Sequence, residues 1–251
     1  MIRFGQLVLA CLTACVAAST AAAPAGAVKN IVLVHGAFAD GSGWNAISDI
    51  LVKDGYNVSI VQPPETSLED DIAATNRTLD LLDGPAVLVG HSYGGMIITD
   101  AGNNAHVKTL VYVAAFQPDV GESLGSLQGK TPPAGNSIKP AADGFLYIDP
   151  AQFHADFAAD LPQKTTDFMA RSQVFLSTKS AGGATKSPAW KTKQSYAVVA
   201  TEDRSINPEL ERFMYKRSKA ETIELKGSHV IYMSQAKAVA AFIEKAAQAS
   251  K

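Results

Sequence analysis

Cysteine is nearly absent from this chain of 251 residues, whose two cysteines, Cys11 and Cys15, both lie close to the N-terminus. Long apolar runs are missing from the interior, which excludes a membrane-spanning helix there. The 22 basic and 24 acidic residues nearly balance, and no Lys/Arg-rich stripe occurs, so the composition excludes a strongly basic nucleic-acid-binding protein. The sequence has no HExxH motif and no histidine–carboxylate cluster at ligand spacing, so we expect no bound metal.

Residues 1–27 have the pattern of an export signal. Arg3 precedes an apolar run from Leu7 to Ala18, and small residues follow as far as Ala27, as in a bacterial secretory signal peptide. Cleavage after Ala27, or earlier among residues 21–23, would leave a chain without cysteine. Such a chain has no disulfide bond, no thiol nucleophile and no cysteine-based zinc site.

The same N-terminal segment contains a second pattern. Leu12-Thr13-Ala14-Cys15 resembles a bacterial lipobox, in which Cys15 would become the lipidated first residue of the mature protein. We therefore expect an exported protein, periplasmic or secreted, with a lipid anchor at Cys15 as the alternative form. The folded domain is predicted to span residues 28–251, without a membrane span of its own.

The rest of the chain alternates between short apolar runs and segments with helical periodicity. The apolar runs are rich in β-branched residues, as in strands that are buried on both faces. They lie at Ile31–Val34, Tyr56–Val61, Ala86–Val89, Val107–Ala114, Tyr196–Ala200 and Thr222–Leu225. Strands that alternate with helices form a parallel sheet, and ligands bind at the edge where the carboxyl ends of the strands meet. We expect an α/β fold with a mostly parallel sheet of about six strands flanked by helices.

The pattern changes between about residue 118 and residue 190. This segment is rich in Gly, Pro, Ser and Thr, contains no clear buried strand, and is too long for a plain loop inside a compact domain. Short helices are predicted at residues 149–159 and 163–171. We therefore expect an inserted cap that covers the carboxyl edge of the sheet.

A further helix is predicted after the strand that ends at Ala200. Asn207 is a suitable N-cap for it, and Pro208 suits the first helical position, where a backbone N–H is not needed. The spacing of Leu210, Phe213 and Met214 predicts that these three residues form its apolar face.

The segment Gly90-His91-Ser92-Tyr93-Gly94 matches G-x-S-x-G, a motif that presents a nucleophilic serine. A buried strand precedes the motif and a helix follows it, which is the setting for a tight turn that exposes the serine hydroxyl. We interpret Ser92 as the nucleophile. The alternative interpretation is a glycine-rich turn that serves packing alone.

A serine nucleophile needs a general base. Of the five histidines in the chain, His229 directly follows the last predicted strand and so falls at the same edge as Ser92. His229 is therefore the predicted base. We expect His91 beside Ser92 in the serine turn and His35 in the loop after the first strand. His106 is expected at the surface and His154 in the cap.

The base in turn needs a carboxylate that fixes its tautomer. Asp203 lies just after the strand that ends at Ala200 and is the predicted acid. Glu202 beside it and Asp119 after an earlier strand are alternatives. The non-catalytic interpretation of Asp203 is a solvated ion pair with Arg204.

A developing oxyanion needs preorganised N–H donors. One predicted donor is the backbone N–H of Tyr93, which follows the nucleophile. The other is expected in the turn after the first strand, where we favour Ala37, with Phe38 as the alternative.

Taken together, these motifs resemble the α/β-hydrolase superfamily, and within it the branch of plant methylesterases, hydroxynitrile lyases and their bacterial esterase-like relatives. The resemblance covers residues 28–251 and is weakest in the cap. It is carried by Val34-His35-Gly36-Ala37, Gly90–Gly95, Val113–Asp119, Thr201–Arg204 and the segment around Gly227 and His229. It implies the α/β-hydrolase fold, with Ser92 as nucleophile, Asp203 as acid, His229 as base and the Ala37 and Tyr93 amides as the oxyanion hole.

One position departs from part of this branch. Its hydroxynitrile lyases have a lysine directly after the catalytic histidine, where the charge helps to stabilise cyanide, whereas this chain has Val230. An apolar side chain cannot supply that charge, so the departure argues against lyase activity.

We therefore predict a cofactor-independent serine hydrolase that acts on small or hydrophobic carboxylic esters. Alternatives are a hydroxynitrile lyase, a cofactor-free haloperoxidase-like enzyme, and a ligand-binding protein that keeps the triad without turnover. Several aromatic side chains are candidates for contact with the substrate or, equally, for the core of the cap. Those predicted to contact substrate are Phe38, Phe116, Phe153 and Phe157, and the cap adds Phe145 and Phe168.

Overall fold

A central parallel sheet dominates the computed structural model, which describes residues 23–24 and 26–250. Within these residues its six strands are β1 (Asn30–Val34), β2 (Asn57–Val61), β3 (Ala86–Ser92), β4 (Val107–Ala115), β8 (Gln194–Ala200) and β9 (Glu221–Leu225). The spatial order is β2-β1-β3-β4-β8-β9, and each neighbouring pair is parallel. The predicted α/β-hydrolase fold is confirmed.

Helices cover both faces of this sheet. They are α1 (Asn45–Lys53), α2 (Leu68–Leu79), α3 (Gly94–Ala101), α8 (Pro208–Ser218), α9 (Ile231–Ser234) and α10 (Ala236–Ala249). Strands β1 and β3 are buried along their whole length, whereas the edge strands β2 and β9 are partly exposed. Burial on both faces explains why the central strands are continuous apolar runs in the sequence.

The segment between β4 and β8, predicted as a cap, contains short helices and a second sheet. The helices are α4 (Leu124–Lys130), α5 (Pro150–Phe157), α6 (Gln163–Ser172) and α7 (Thr178–Gly182). In the described part of the chain, the sheet consists of β5 (Ile138–Pro140), β6 (Phe145–Ile148) and β7 (Leu176–Ser177), paired antiparallel. The prediction that this segment has no clear buried strand is wrong only for the two-residue β7, since β5 and β6 are mostly half-buried. Strands this short leave almost no periodic signal in the sequence.

Helix α8 begins as predicted but buries Glu211 in place of Phe213. The Asn207 side chain accepts the N–H of Glu209 at 3.0 Å, and Pro208 occupies the first helical position. Leu210 and Met214 are buried, whereas Phe213 is 55% exposed and Glu211 is completely buried. The predicted apolar face is therefore wrong at Phe213, whose ring lies under the Arg217 guanidinium at 5.4 Å.

The predicted export signal at residues 1–27 lies almost entirely outside the described residues, and so does Cys15, the predicted site of a lipid anchor. Both stay predictions. The described chain joins the domain at Val28, whose N–H donates to the Ala247 carbonyl at 3.0 Å. Among the helices described, none has the length and apolarity needed to cross a bilayer.

Candidate active site

Ser92 lies at the carboxyl end of β3, in the tight turn that leads into α3. Its φ of 54° is in the left-handed region, which is strained for a residue with a side chain. The turn can pack tightly because Gly94 has no side chain: a Cβ there would lie 2.7 Å from the Val34 carbonyl oxygen. This strained strand–turn–helix geometry is the one that the G-x-S-x-G motif predicts.

His229 reaches the serine from the loop after β9. Its Nε2 atom lies 2.8 Å from the Ser92 Oγ atom, although 137 positions separate the two residues along the chain. The His229 side chain is 1% exposed and packs against the Phe157 ring at 5.0 Å between centroids. The loop therefore holds the imidazole in contact with the hydroxyl and shields it from water.

Asp203 contacts the other side of the same imidazole. Its Oδ2 atom lies 2.6 Å from His229 Nδ1, and its Oδ1 atom accepts the backbone N–H groups of Ser205 and Ile206 at 2.6 and 2.9 Å. With Nδ1 donating to the carboxylate, Nε2 has a lone pair available for the Ser92 proton.

The alternative acids lie elsewhere. Glu202 is half exposed and pairs with Lys226 at 3.5 Å, and Asp119 pairs with Lys191. Arg204 forms an ion pair with Asp156 rather than with Asp203. The structure thus brings Asp203, and neither alternative, to His229.

His91 supports His229 from behind. Its Nε2 atom donates to the His229 carbonyl at 3.0 Å, and the two rings pack at 4.7 Å between centroids. Burial lowers the pKa of His91 well below its usual value, and the neighbouring His229 lowers it further. Among the described residues His91 makes no hydrogen bond to the Ser92 hydroxyl, and its contact with His229 has no signal in the sequence.

His35 supports the loop that follows β1. Its Nδ1 atom contacts the Gly36 carbonyl oxygen at 3.0 Å, and its Nε2 atom contacts Gln62 Oε1 at 3.1 Å. Burial lowers the pKa of His35. The remaining two histidines lie apart from the triad: His106 contacts the Gly84 carbonyl, and His154 contacts the Thr166 hydroxyl.

Two backbone N–H groups are available to donate hydrogen bonds to an oxyanion. Neither Ala37 nor Tyr93 donates its N–H to an acceptor among the described residues, whereas the Phe38 N–H donates to the Val174 carbonyl at 3.1 Å. Phe38 has a φ of 64°, in the left-handed region. Ala37 and Tyr93, rather than Phe38, therefore retain N–H groups that can donate to an oxyanion.

The side chain of Tyr93, whose backbone N–H is one of these two donors, contacts a buried pair of acidic residues, Asp71 and Glu65. Its hydroxyl donates to Asp71 Oδ2 at 2.6 Å, and Asp71 Oδ1 accepts the Glu65 N–H at 2.6 Å. Burial raises the pKa of Asp71 and raises that of Glu65 well above its usual value, with the Asp71 charge as the second cause for Glu65. Glu65 also lies 3.7 Å from His35 Nδ1. No motif in the sequence marks Glu65 or Asp71.

An apolar cavity opens beside Ser92, with about 490 Å³ of space not filled by atoms when the open solvent at its mouth is included. Its wall includes Ser92, His229, Ala37 and Tyr93 from the core domain. Most of the lining is apolar, no charged side chain contributes among the described residues, and Gln128 and Ser205 add polar groups. The apolar lining consists of Phe38, Phe116, Leu124, Ile138, Leu146, Ile148, Phe157, Leu176 and Ile206.

Three of the four aromatic residues predicted to contact substrate line this cavity: Phe38, Phe116 and Phe157. Phe153 does not line it, because its ring is fully buried behind Phe157 at 4.9 Å between centroids. Phe145 is also absent from the wall, and Phe168 is 61% exposed. The small cap sheet supplies Ile138, Leu146, Ile148 and Leu176 instead, of which Leu146 and Ile148 alternate along β6 and so share one face.

The described residues contain no cluster of three or more histidine, cysteine, aspartate or glutamate side chains arranged to hold a metal ion.

Comparison with curated proteins identifies one relative. The chain is 34% identical over 121 residues to the carbendazim hydrolyzing esterase of Nocardioides sp. (strain SG-4G). The match covers 42% of this chain and 50% of that esterase, so the chain spans about half the length of the curated relative that it matches.

Solved structures with the same fold include enzymes from bacteria and plants. A pyrethroid hydrolase from Sphingobium faniae JZ-2 has a TM-score of 0.74 at 21% identity, covering 88% of this chain and 98% of that one. An extracellular α/β-hydrolase from a Paenibacillus species has a TM-score of 0.71 at 17% identity, covering 87% and 99%. Tomato methylketone synthase I has a TM-score of 0.73 at 19% identity, covering 89% and 99%. At these identities the likeness concerns the fold alone.

A family model described as the alpha/beta hydrolase family matches residues 31–242, which is most of the chain. The match includes all three residues of the hydrogen-bonded series Ser92, His229 and Asp203. This protein belongs to the alpha/beta hydrolase family.

Proposed function

We propose that this protein is a serine hydrolase of carboxylic esters that works through an acyl-enzyme. The observation that carries the proposal is the unbroken series of hydrogen bonds from Ser92 Oγ to His229 Nε2 at 2.8 Å, and from His229 Nδ1 to Asp203 Oδ2 at 2.6 Å. A serine hydroxyl is a weak nucleophile at neutral pH, and a neutral imidazole oriented in this way is the group that activates it.

In the first half of the reaction, Ser92 Oγ attacks the ester carbonyl carbon while His229 Nε2 takes the hydroxyl proton. The carbonyl oxygen becomes an oxyanion, and the N–H groups of Ala37 and Tyr93 donate to it. The carbon–oxygen bond to the alcohol then breaks, and His229 returns its proton to the departing alkoxide. An ester bond between Ser92 and the acyl group is left.

In the second half, water attacks the acyl carbon and His229 accepts one of its protons. The second tetrahedral intermediate uses the same Ala37 and Tyr93 donors. Its collapse breaks the bond to Ser92 Oγ, which recovers the proton from His229, and the carboxylic acid leaves. Asp203 remains ionised and stabilises the imidazolium form of His229 in both halves.

The cavity supports neutral, apolar esters as substrates. Its wall carries aliphatic and aromatic side chains without a charged partner for a charged substrate among the described residues, and an apolar lining with a few polar groups is typical of sites for small molecules. The names of the carbendazim hydrolyzing esterase and the pyrethroid hydrolase agree with a hydrolase activity.

The residue after His229 argues against a hydroxynitrile lyase. Val230 is fully buried and uncharged, so that position has no cation to stabilise a cyanide leaving group. Mandelonitrile therefore serves as a negative-control substrate, for which we expect no cleavage above background.

The test is turnover of a panel of p-nitrophenyl esters, from acetate to octanoate and benzoate, by wild type and by Ser92→Ala. We expect wild type to hydrolyse the panel and Ser92→Ala to lose at least about 10³-fold in kcat while its circular dichroism spectrum is unchanged. Near-wild-type turnover by Ser92→Ala, or no turnover of any ester by wild type, would refute the proposal.

A further inference from the structure

A second carboxyl group, that of Glu211, is buried behind the triad of Ser92, His229 and Asp203. Glu211 lies in the first half of α8 and its side chain is fully buried. Its Oε2 atom accepts the Ala200 N–H at 3.3 Å, and the Ala200 carbonyl accepts the Asp203 N–H at 3.1 Å. Glu211 therefore packs against the turn that carries the triad acid. Its other oxygen, Oε1, has no hydrogen-bond donor among the described residues.

Within the described part of the chain, the groups that face Glu211 include no cation that could neutralise a buried carboxylate. The Asp203 carboxyl acts on Glu211 as a negative charge and through a side-chain hydrogen bond, and the buried Tyr215 hydroxyl donates to the Ala115 carbonyl. Arg212 is the next residue along the helix, but it points to the surface, where it pairs with Glu209 and Glu224. Burial, followed by the Asp203 charge and hydrogen bond, raises the pKa of Glu211 well above its usual value.

Asp203 has room for one more donor. Its oxygens accept from His229 Nδ1, Ser205 N–H and Ile206 N–H, and an ionised carboxylate offers about four acceptor sites. A protonated Glu211 can fill the remaining site with its O–H. The same proton explains why Glu211 tolerates burial beside a negative charge.

We propose that Glu211 is a protonated positioning residue that donates its carboxyl O–H to Asp203, and so extends the Ser92–His229–Asp203 series by a fourth member. The proposal rests on the proposed function. The donor fixes the rotamer of Asp203 and keeps its charge on the oxygen that contacts His229 Nδ1. Glu211 does not touch the substrate, so its loss acts through the orientation and tautomer of the imidazole.

A direct test looks for the proton itself. A protonated carboxylic acid has an infrared carbonyl band that a carboxylate lacks, and the wild-type minus Glu211→Gln difference spectrum at pH 7 isolates the band of Glu211. We expect a positive acid band that shifts on exchange into D₂O. Glu209→Gln, an exposed change on the same helix, is the matched control and should show no such band. A carboxylate signal in place of the acid band at residue 211 would overturn the proposal.

Kinetics test the positioning role. Glutamine keeps a neutral donor, so Glu211→Gln should retain kcat within about 3-fold, whereas Glu211→Leu, which removes the donor, should lower kcat by about 10-fold or more with KM nearly unchanged. In an Asp203→Asn background the acceptor of the Glu211 hydrogen bond is already altered. In that background, Glu211→Leu should therefore lower kcat by less than about 2-fold. Equal, fully additive losses in both backgrounds would show that Glu211 serves packing only.

The two proposals fail in distinguishable ways. If wild type hydrolyses no ester, the proposed function fails, while the infrared spectrum still decides the protonation of Glu211. If Glu211→Leu does not fold, the spectrum and the Glu211→Gln kinetics decide the question without it.

Discussion

The backbone of Gly36 lies against the side chain of Ser92. A Cβ atom at residue 36 would lie 2.5 Å from the Ser92 Cβ and 2.8 Å from the His91 carbonyl oxygen, far inside van der Waals contact. Because Ala37 follows directly, any shift that relieves this clash moves an oxyanion-hole N–H. Close packing at Gly36 thus ties the nucleophile to the N–H group that stabilises the oxyanion formed by its attack.

We predict that Gly36→Ala lowers kcat by about 100-fold, the loss typical of one misplaced oxyanion donor. The matched control is Gly182→Ala, at an exposed position where an added Cβ meets nothing within 4 Å. Steady-state kinetics with one p-nitrophenyl ester measure both. Unchanged kcat in Gly36→Ala would show that Ala37 does not serve as a donor.

Substitutions of the two adjacent acids, Glu202 and Asp203, should have very different effects on kcat. Asp203→Asn reverses the hydrogen bond to His229 Nδ1 and favours the wrong tautomer, so kcat should fall on the order of 10⁴-fold. Glu202→Gln removes only an ion pair with Lys226 and should leave kcat within about 2-fold, because exposed pairs contribute little. Comparable losses in both variants would contradict the assignment of Asp203.

The cap sheet should set the acyl-chain preference. Leu146 faces the cavity, so Leu146→Trp should lower kcat/KM for octanoate and benzoate esters by about 10-fold or more while acetate hydrolysis changes little. Tyr147 does not line the cavity and stacks on Phe175 at 5.5 Å, which makes Tyr147→Trp the control. A uniform loss across the panel in Leu146→Trp would point to a disturbed triad instead.

The buried Glu65 should make stability depend on pH. Its pKa is raised in the folded state, so the folded protein keeps a proton that the unfolded chain releases above about pH 4.5. Wild-type stability from this group is therefore full below that pH and falls as pH rises toward the folded pKa. Relative to wild type, Glu65→Gln should gain stability from pH 4 to pH 8, by at most about 1.4 kcal/mol per pH unit.

Urea unfolding at several pH values measures this gain for Glu65→Gln. Glu69→Gln, which removes an exposed carboxylate paired with Lys186, is the control and should show no gain that grows with pH. A difference between Glu65→Gln and wild type that is constant from pH 4 to pH 8 would mean that Glu65 is ionised in the fold.

The sequence predicted the parallel sheet and the meeting of Ser92, His229 and Asp203 because these depend on local signals. Buried strands are continuous apolar runs, and residues just after parallel strands meet at one edge whatever their separation along the chain. The G-x-S-x-G turn is likewise defined by its neighbours, since Gly94 is required by the close approach of β1 and Gly90 by the close approach of the Gly94 backbone.

Features that depend on tertiary packing could not be predicted in this way. The strands at Ile138–Pro140 and Leu176–Ser177 are too short to show a period, so the cap sheet and its share of the cavity were missed. On α8, helical spacing favoured Phe213, but the packing angle of the helix buries Glu211 instead. The burial of the Glu211 carboxyl group beside that of Asp203 is set by contacts between distant segments, and no sequence motif predicts it.

The most direct test of the account is covalent labelling of the nucleophile. Intact-mass and peptide mass spectrometry after incubation with a fluorophosphonate should find one adduct per chain, located on Ser92. Formation of the adduct should slow by orders of magnitude in His229→Ala, because the base 2.8 Å from the hydroxyl is then missing. An adduct on a different residue, or a labelling rate that is the same with and without His229, would contradict the claim that His229 activates Ser92.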